Sequence, residues 1–382
     1  MSINSMTLED ALELNTTGLF QWRLFAICGL AFMTDSLGVN LLSFLTTCAA
    51  ADWNLSDASQ AALTSVVFVG IILGSIFWGR FASEYGRKKT LLYSCLIITL
   101  GGFASAIAPS YIFLLLFRAL AGFGIGGASI PFDLLAEFLP ASNRSVFLVY
   151  MGIFWTLGAM FVAGTAWGIL PVLGWRVLAF VTTVPVLLTT TMAFIYLPES
   201  PRWLVSKNRE MEAVRIVREA ALVNGIIIPQ FTLAPSIIDL SDEGKEGSYL
   251  DLFATKSAQQ ITVPLWIVWA SFGFSYYGVI LFVSRVYSNQ DEVSSSTGPI
   301  CSFNYPAIFY NAAAEIISVI ISASLIEKLG RVYSQSLFYA LGGVAVILMG
   351  FEFSPTSVLF FSIMARMCVN SGLVRLLFLF NY

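Results

Sequence analysis

Asp35, Arg118, Asp133, Glu315 and Arg366 each fall inside a long apolar run of this 382-residue chain. A charge at the centre of a bilayer costs about 2.5–3.5 kcal/mol on insertion scales, so each is expected to face a bundle interior or a partner. A carboxylate at that depth can hold a cation or a proton. The sequence contains no His, the usual neutral-pH proton carrier, so proton coupling has to run through Asp or Glu. Asp35 and Glu315 lie in different halves of the chain and together could line one central cavity. Tyr276 and Tyr277 are candidates for solute contact. Arg118, Asp133 and Arg366 read as structural or coupling charges. Asp133 lies about four helical turns from Arg118, too far to pair along one helix, so its partner lies elsewhere or it is solvated near a membrane edge.

A second set sits between apolar runs. The string Gly79 to Lys89 (GRFASEYGRKK) has a weaker copy, Glu327 to Arg331 (EKLGR). Around these turns Glu84, Arg87, Glu137, Arg144, Glu199 and Arg331 alternate in sign, with Gly79 and Gly86 at the turn itself. Converging loops of this kind can latch two bundles together. Lys88 and Lys89 read as topology signals.

The elements that must position these residues are membrane spans. The chain is 57% hydrophobic and 11% charged, against about 25% charged in a soluble domain, so it reads as a polytopic membrane protein. Apolar runs predict ten spans, near 23–46, 60–79, 90–108, 111–133, 146–168, 175–197, 260–284, 305–325, 336–353 and 357–378. With the N-terminus inside, fifteen Lys and Arg fall in cytoplasmic segments and two, Arg176 and Arg285, fall outside. That bias is the one expected of cytoplasmic loops. Residues 1–21 carry acids and no Lys or Arg, unlike a cleavable signal peptide, so the first span is expected to act as the targeting signal. Four units follow: a cytoplasmic segment over 1–22, a bundle over 23–197, a central cytoplasmic loop over 198–259 and a second bundle over 260–382. The charged face of the central loop, including the acidic patch from Asp239 to Asp251, reads as solvated surface.

The five Cys, at 28, 48, 95, 301 and 368, lack metal-like spacing. Buried or free thiols are the expected state, with a Cys48–Cys301 pair on the outside as the alternative. Asn54-Leu55-Ser56 is an outside sequon in a short loop, and Asn15 and Asn143 fall inside. The motif GxxxxGK[ST] is absent from the sequence, which disfavours ATP-driven pumping. No nucleophile–base pair or metal cluster points to an enzyme, and no cofactor or nucleic-acid partner is implied. The partners expected are a small solute, the bilayer and, with coupling, a proton. The expected state is a monomer in the plasma membrane or an intracellular vesicle membrane.

The halves repeat. Arg118 and Arg366 are 248 residues apart, and the turn glycines Gly86 and Gly330 are 244 apart. The fourth and tenth spans are therefore equivalents. Two spans follow the fourth, whereas the chain stops soon after the tenth. Twelve spans would complete the duplication that many transporters carry, so the sequence is expected to be a fragment, a truncated gene model or a defective variant.

Four motifs support a resemblance. Gly70, Gly74, Gly79, Gly86, Arg87 and Lys88 form one. Arg118, Gly122, Gly124, Gly126 and Gly127 form the second. Glu137, Phe138, Leu139, Pro140 and Arg144 form the third, and Pro198 to Trp203 (PESPRW) the fourth. Together they resemble the major facilitator superfamily, in its sugar-porter and organic-ion branch. The segments Thr7–Leu12, Gly18–Gln21, Met33–Asp35, Tyr276–Gly278 and Ala314–Glu315 are similar to the synaptic-vesicle-two-related transporters. Ser83 stands where the loop motif usually has an acid, and Gly38 where relatives often carry a second acid. The acidic-Pro turn after span ten is absent.

The resemblance implies an all-α polytopic membrane protein with the major facilitator fold: two six-helix pseudo-repeats, the last two helices missing. It implies a secondary transporter of a small organic solute (an organic ion, sugar or carboxylate) working by alternating access, with Asp35 or Glu315 binding a cationic substrate or a coupling proton. The competing reading is a non-transporting paralogue of the same fold. Among the aromatics, Trp155, Trp167, Trp266, Trp269 and Phe274 could line the cavity, although most are expected to face lipid or pack.

Overall fold

The computed structural model describes residues 4–229, 231–233, 249–288, 301–351 and 355–376. The side chains of 249, 250, 322–329, 331, 355 and 372–376 lie outside that description, as does most of the acidic patch from Asp239 to Asp251. Helix α1 covers Leu8–Leu14, and the spanning helices begin with α2 (Leu19–Trp53), α3 (Asp57–Tyr85) and α4 (Arg87–Ala106). Helices α5 (Tyr111–Ile125) and α6 (Ile130–Ala136) form the fourth crossing. It was expected as one run, but the Gly126-Gly127 turn and Pro131 at the start of α6 break it in two.

Helix α7 (Ala141–Tyr196) has 56 residues, about 84 Å of helix, far more than the ~30 Å hydrocarbon core needs. Gly174 is its one non-helical residue (φ 76°), and the chain reverses there. Phe147 packs on Phe25 near the start of α2, and Arg176 bonds Asp52 at its end. Arg23 then lies over the Tyr196 ring, back near the start. The two legs are the predicted fifth and sixth spans. Helices α8 (Pro201–Ser206) and α9 (Glu210–Val223) follow, then α10 (Lys256–Val286), α11 (Tyr305–Leu329), α12 (Arg331–Met349) and α13 (Pro355–Leu376). We call the side carrying Leu19 and Tyr196 the amino-terminal face.

Small residues set the closest helix pair. Gly70 and Gly74 of α3 meet Gly122 of α5 and Gly126 just past its end, each pair four residues apart. A Cβ on Gly122 would lie 2.3 Å from the Val67 carbonyl oxygen, and one on Gly74 2.1 Å from that of Phe123. Backbone contact of this kind supplies the dispersion that drives helix association in lipid, where the hydrophobic effect between helices is absent. The Trp78 indole then donates to the Phe123 carbonyl at 2.8 Å.

At the amino-terminal face the charged side of α9 is exposed at Glu212, Arg215 and Glu219, while its apolar side is covered by the amino-terminal segment. Strand β1 (Asn4–Met6) pairs in parallel with β2 (Phe231–Leu233). Ala11 and Leu12 of α1 pack with Val217 and Ala221 of α9. The Asn224 side chain accepts from Phe20 N at 2.8 Å and donates to Gln21 at 2.8 Å and Asn15 at 2.9 Å. These contacts fasten the amino-terminal segment to the loop between the halves.

At the opposite face Cys48 and Cys301 form a disulfide with Cα atoms 5.4 Å apart, overturning the free-thiol expectation for this pair. The end of α2 and the segment before α11 meet there, and Phe44 packs on Phe303 beside them. Cys28, Cys95 and Cys368 are free and buried. Asn54 caps the end of α2 with left-handed geometry (φ 51°). In the first half α7 packs against both α2 and α4. Between α10 and α12, their counterparts, runs an apolar groove of about 700 Å³ lined by Phe272, Val279, Gly342 and Val346.

Two outcomes test this packing. Gly74→Val should abolish a monodisperse folded product in size-exclusion profiles of a fluorescent fusion, whereas Gly168→Val, with nothing within 4 Å of its Cβ position, should leave the profile unchanged. Peptide mapping without reductant should recover Cys48 linked to Cys301, with the other three cysteines as thiols.

Candidate functional site

At mid-depth a ring of hydrogen bonds joins helices of both halves. Glu315 of α11 accepts from the Tyr276 hydroxyl at 2.7 Å and from Arg366 Nε at 2.5 Å, both on Oε1. Its Oε2 accepts from Thr156 Oγ1 at 3.2 Å. The Trp155 indole donates to the Tyr276 oxygen at 2.5 Å. Arg366 Nη2 donates to Asn40 Oδ1 at 3.3 Å, and Asn40 Nδ2 donates to Ser36 Oγ at 3.1 Å. Ser36 Oγ closes the circuit by donating to the Trp155 carbonyl at 2.6 Å. Three of these bonds cross between the halves: Trp155–Tyr276, Thr156–Glu315 and Asn40–Arg366.

The side chains of Glu315 and Arg366 are 0% and 3% exposed. Such a pair adds little net stability over apolar packing, yet removing one partner strands the other charge at a cost of about 3–5 kcal/mol. The cluster is apt for binding because it offers an anion, a cation, a phenol, an indole and an amide within one small volume.

Asp35, on the same helix as Asn40, stays outside this ring. It is 4% exposed and makes no hydrogen bond or ion pair among the described residues. It lies near Tyr277 of α10 and Cys95 of α4. Tyr277 packs on Phe68 of α3 with ring centroids 4.9 Å apart, so it forms a wall between the halves. Arg118 is also buried, donating from Nε to Ser105 Oγ at 2.8 Å while Nη2 has no partner among the described residues. Asp133 lies far from this layer, on α6 within the field of Arg87 at the amino-terminal face.

The second predicted set does converge in part. Arg87 Nε meets Glu137 Oε1 at 3.3 Å, and its Nη1 donates to the Ala82 carbonyl at 3.1 Å. The Ser200 hydroxyl donates to Glu137 Oε2. Glu199 Oε1 accepts from the backbone N–H groups of Lys88 and Ser200, both at 3.0 Å. A carboxylate thus caps the positive end of α4. Gly86 (φ 98°) is required at that turn, since a Cβ there would lie 2.3 Å from Glu199 Oε2. The Trp203 indole donates to the Ser83 carbonyl at 2.9 Å, which fixes the PESPRW segment under α3. Arg144 donates from Nη2 to the Leu139 carbonyl at 3.2 Å and forms no ion pair among the described residues. Gly79 and Glu84 are exposed, and Glu84 has no ionic partner among the described residues. The Arg331 side chain lies outside those residues. Burial outweighs the opposing pull of Arg87 and leaves the Glu137 carboxyl raised to about 7.

Sequence reading missed Ser36, Asn40 and Thr156. The signal was present: Ser36 and Asn40 are polar residues four apart in an apolar run, so they share one helix face. Of the aromatics, Trp155 joins the ring, whereas Trp167, Trp266 and Phe274 are 49%, 59% and 86% exposed and point outward.

Comparisons with known proteins bear on this arrangement. Residues 19–371 match the family model described as "Sugar (and other) transporter". The chain is 32% identical to svop-1 of Caenorhabditis elegans over 94% of its own length and 71% of that protein's. It is 34% identical to the synaptic vesicle 2-related protein of Bos taurus, covering 88% of this chain and 62% of that one. Against "Organic cation/carnitine transporter 7" of Arabidopsis thaliana it is 29% identical, covering 96% and 80%. The fold superposes on a partially occluded, inward-open form of the xylose transporter XylE of E. coli with a TM-score of 0.71 at 16% identity, over 95% of this chain and 85% of that one. An inward-open form of XylE gives 0.69. On its motifs, its fold and these relatives, the chain belongs to the sugar (and other) transporter family of the major facilitator superfamily, a multi-pass membrane transporter family and not an enzyme family.

Proposed function

We propose that the protein carries a small organic solute by alternating access, with two bundles (23–197 and 260–382) rocking over the ring around Glu315 and the central loop (198–259) joining them on the cytoplasmic side. The observation that carries the reading is the buried Glu315–Arg366 pair, bonded across the halves to Thr156 and Asn40. A solute bound there replaces cross-half bonds and so couples its own binding to bundle movement. Organic ions, sugars and carboxylates all have groups this cluster can bond, with Tyr276 and Trp155 supplying one donor–acceptor edge.

Among the described residues, the side-chain contacts between the halves lie at mid-depth or toward the opposite face: Phe68–Tyr277, Phe44–Phe303, Cys48–Cys301 and the exposed Asp57–Arg285 pair. This supports an inward-facing state. The disulfide keeps the end of α2 beside the segment before α11, so outward opening takes place around that tether. A cytoplasmic amino terminus is supported by the excess of Lys and Arg on that side and by a disulfide on the other, since disulfides persist on the oxidising side of a membrane. Vesicle-protein relatives favour a vesicle membrane. The chain works as a monomer in this scheme. Asp35 is the coupling proton carrier, because Glu315 already has its cation and Asp35 has none among the described residues. The Arg87–Glu137–Ser200 contacts, with Glu199 on α4, all lie within the first half and the start of the central loop, so they serve as a latch on the first half's own cytoplasmic turns and not between the two bundles.

In reconstituted vesicles, screening the three solute classes should find one that accumulates with a proton gradient. Asp35→Asn should abolish gradient-driven accumulation and spare solute exchange, while Lys207→Gln keeps both. Equal loss from both substitutions would reject the assignment. Glu315→Gln should remove uptake and lower stability by about 3–5 kcal/mol, the cost of a stranded arginine. The double change Glu315→Gln/Arg366→Gln should recover thermal stability without recovering uptake.

The latch carries a pH dependence of definite sign. A raised carboxyl pKa means the closed, buried Glu137 binds a proton more readily than the hydrated one. Its contribution to closure is complete below the ordinary glutamate range and is lost as pH rises through about 7. Spin-label distances across the cytoplasmic turns should therefore lengthen between about pH 4.5 and 7, and Glu137→Gln should flatten the change.

A further inference from the structure

The amino-terminal end of α4, the last turns of α7 and helices α8 and α9 enclose a groove of about 790 Å³. Its floor is apolar and opens sideways: Tyr93, Leu96 and Phe194 line it and are 50%, 41% and 69% exposed. On a spanning helix, side chains exposed in this way face acyl chains. Its rim at the amino-terminal face carries Lys88 and Lys89. On α4, Lys89, Tyr93 and Leu96 are spaced by four and three residues, so a single helix face runs from charge to hydrocarbon.

The charges around the rim are unequal in their commitments. Glu199 accepts from two backbone N–H groups at 3.0 Å. Glu212 is held by Arg209 through two bonds, at 2.7 and 2.6 Å. Neither lysine has an ion pair among the described residues. The groove thus holds two internally satisfied acids, one satisfied arginine and two uncommitted ammonium groups. A lysine ammonium is a flexible point charge suited to phosphate. Basic pockets between spans on the cytoplasmic side suit anionic headgroups.

We propose that this groove binds one anionic phospholipid, its phosphate between the Lys88 and Lys89 ammonium groups and an acyl chain along Tyr93, Leu96 and Phe194. A soluble phosphate would use the rim and leave the floor empty, whereas a zwitterionic lipid would use the floor and gain little at the rim. The site lies next to the latch, because Glu199 bonds Lys88 N and Arg87 precedes it. Lipid occupancy therefore bears on the stiffness of that turn. The inference depends on the family's membrane insertion and not on which solute is carried.

Native mass spectrometry of the full chain in detergent tests it, with phosphatidylglycerol and phosphatidylcholine of matched acyl chains as probes. The unaltered chain should retain one phosphatidylglycerol in preference to phosphatidylcholine. Lys88→Gln/Lys89→Gln should weaken that retention about 30-fold, from the sum of two lysine–lipid attractions. Lys88→Arg/Lys89→Arg and Lys207→Gln should keep it. Leu96→Trp, which fills the floor and leaves the rim charges in place, should also weaken it, so the floor is tested even if the double lysine change fails to fold. Equal retention of the two lipids, unchanged phosphatidylglycerol retention in Leu96→Trp or in a folded double variant, or displacement of the lipid by glycerol phosphate would each overturn the proposal.

Discussion

A charge held in hydrocarbon has to find its partner inside the protein, because no water is there to solvate it. Glu315 and Arg366 meet this requirement with each other and with Tyr276, Thr156 and Asn40. Much of the arrangement follows from that need. Helices α11 and α13 are fixed face to face by the ion pair, and α2 and α7 are drawn to them by hydrogen bonds. The same ring that satisfies the charges also ties one half to the other. In the proposed scheme the halves open only by re-satisfying those groups, and a polar solute is a natural replacement partner, so binding and movement would share the same few atoms.

The rest of the first half serves to hold this ring's partners at fixed positions. Glycines let α3 and α5 touch backbone to backbone, which brings Trp78 onto the Phe123 carbonyl. Gly174 turns α7 back on itself so that one leg presents Trp155 and Thr156 to the centre. The other leg runs beside α4 and ends near Arg23. At the amino-terminal face, Glu199 and Glu137 bind the turn between α3 and α4 from two sides. The amino-terminal segment and the central loop add a small layer of their own through β1–β2 and Asn224. At the far face the Cys48–Cys301 bond joins the halves covalently.

The spans were legible because a bilayer imposes length and hydropathy on any helix that crosses it. Predicted and observed ends differ by a few residues, as with 60–79 against Asp57–Tyr85. The break between α5 and α6 was written in Gly126, Gly127 and Pro131 but was masked by uniform hydropathy. Glu315, Arg366 and Tyr276 were visible as rare polar groups in oily runs. Ser36, Asn40 and Thr156 were harder to find, because small hydroxyl and amide groups also satisfy themselves within their own helix. Thr156 in fact lies 3.5 Å from the Gly152 carbonyl while bonding Glu315. The pairing of 4–6 with 231–233 had no local signal, since strands that short depend on the partner for their backbone bonds.

Residue types and spacing alone determined that the chain crosses a membrane repeatedly and that its halves repeat, and they singled out a handful of carboxyl, guanidinium and phenol groups at membrane depth as candidates. Those conclusions need only hydropathy, charge bias and helical period. Tertiary structure decided which charges meet. Arg366 reaches Glu315 across 51 residues of sequence and Asn40 across 326, while Asp35 and Arg118 share the first half and form no ion pair. Such choices turn on ångström-scale distances between helices. Distances of that kind are set by packing many residues at once and are encoded at no single position.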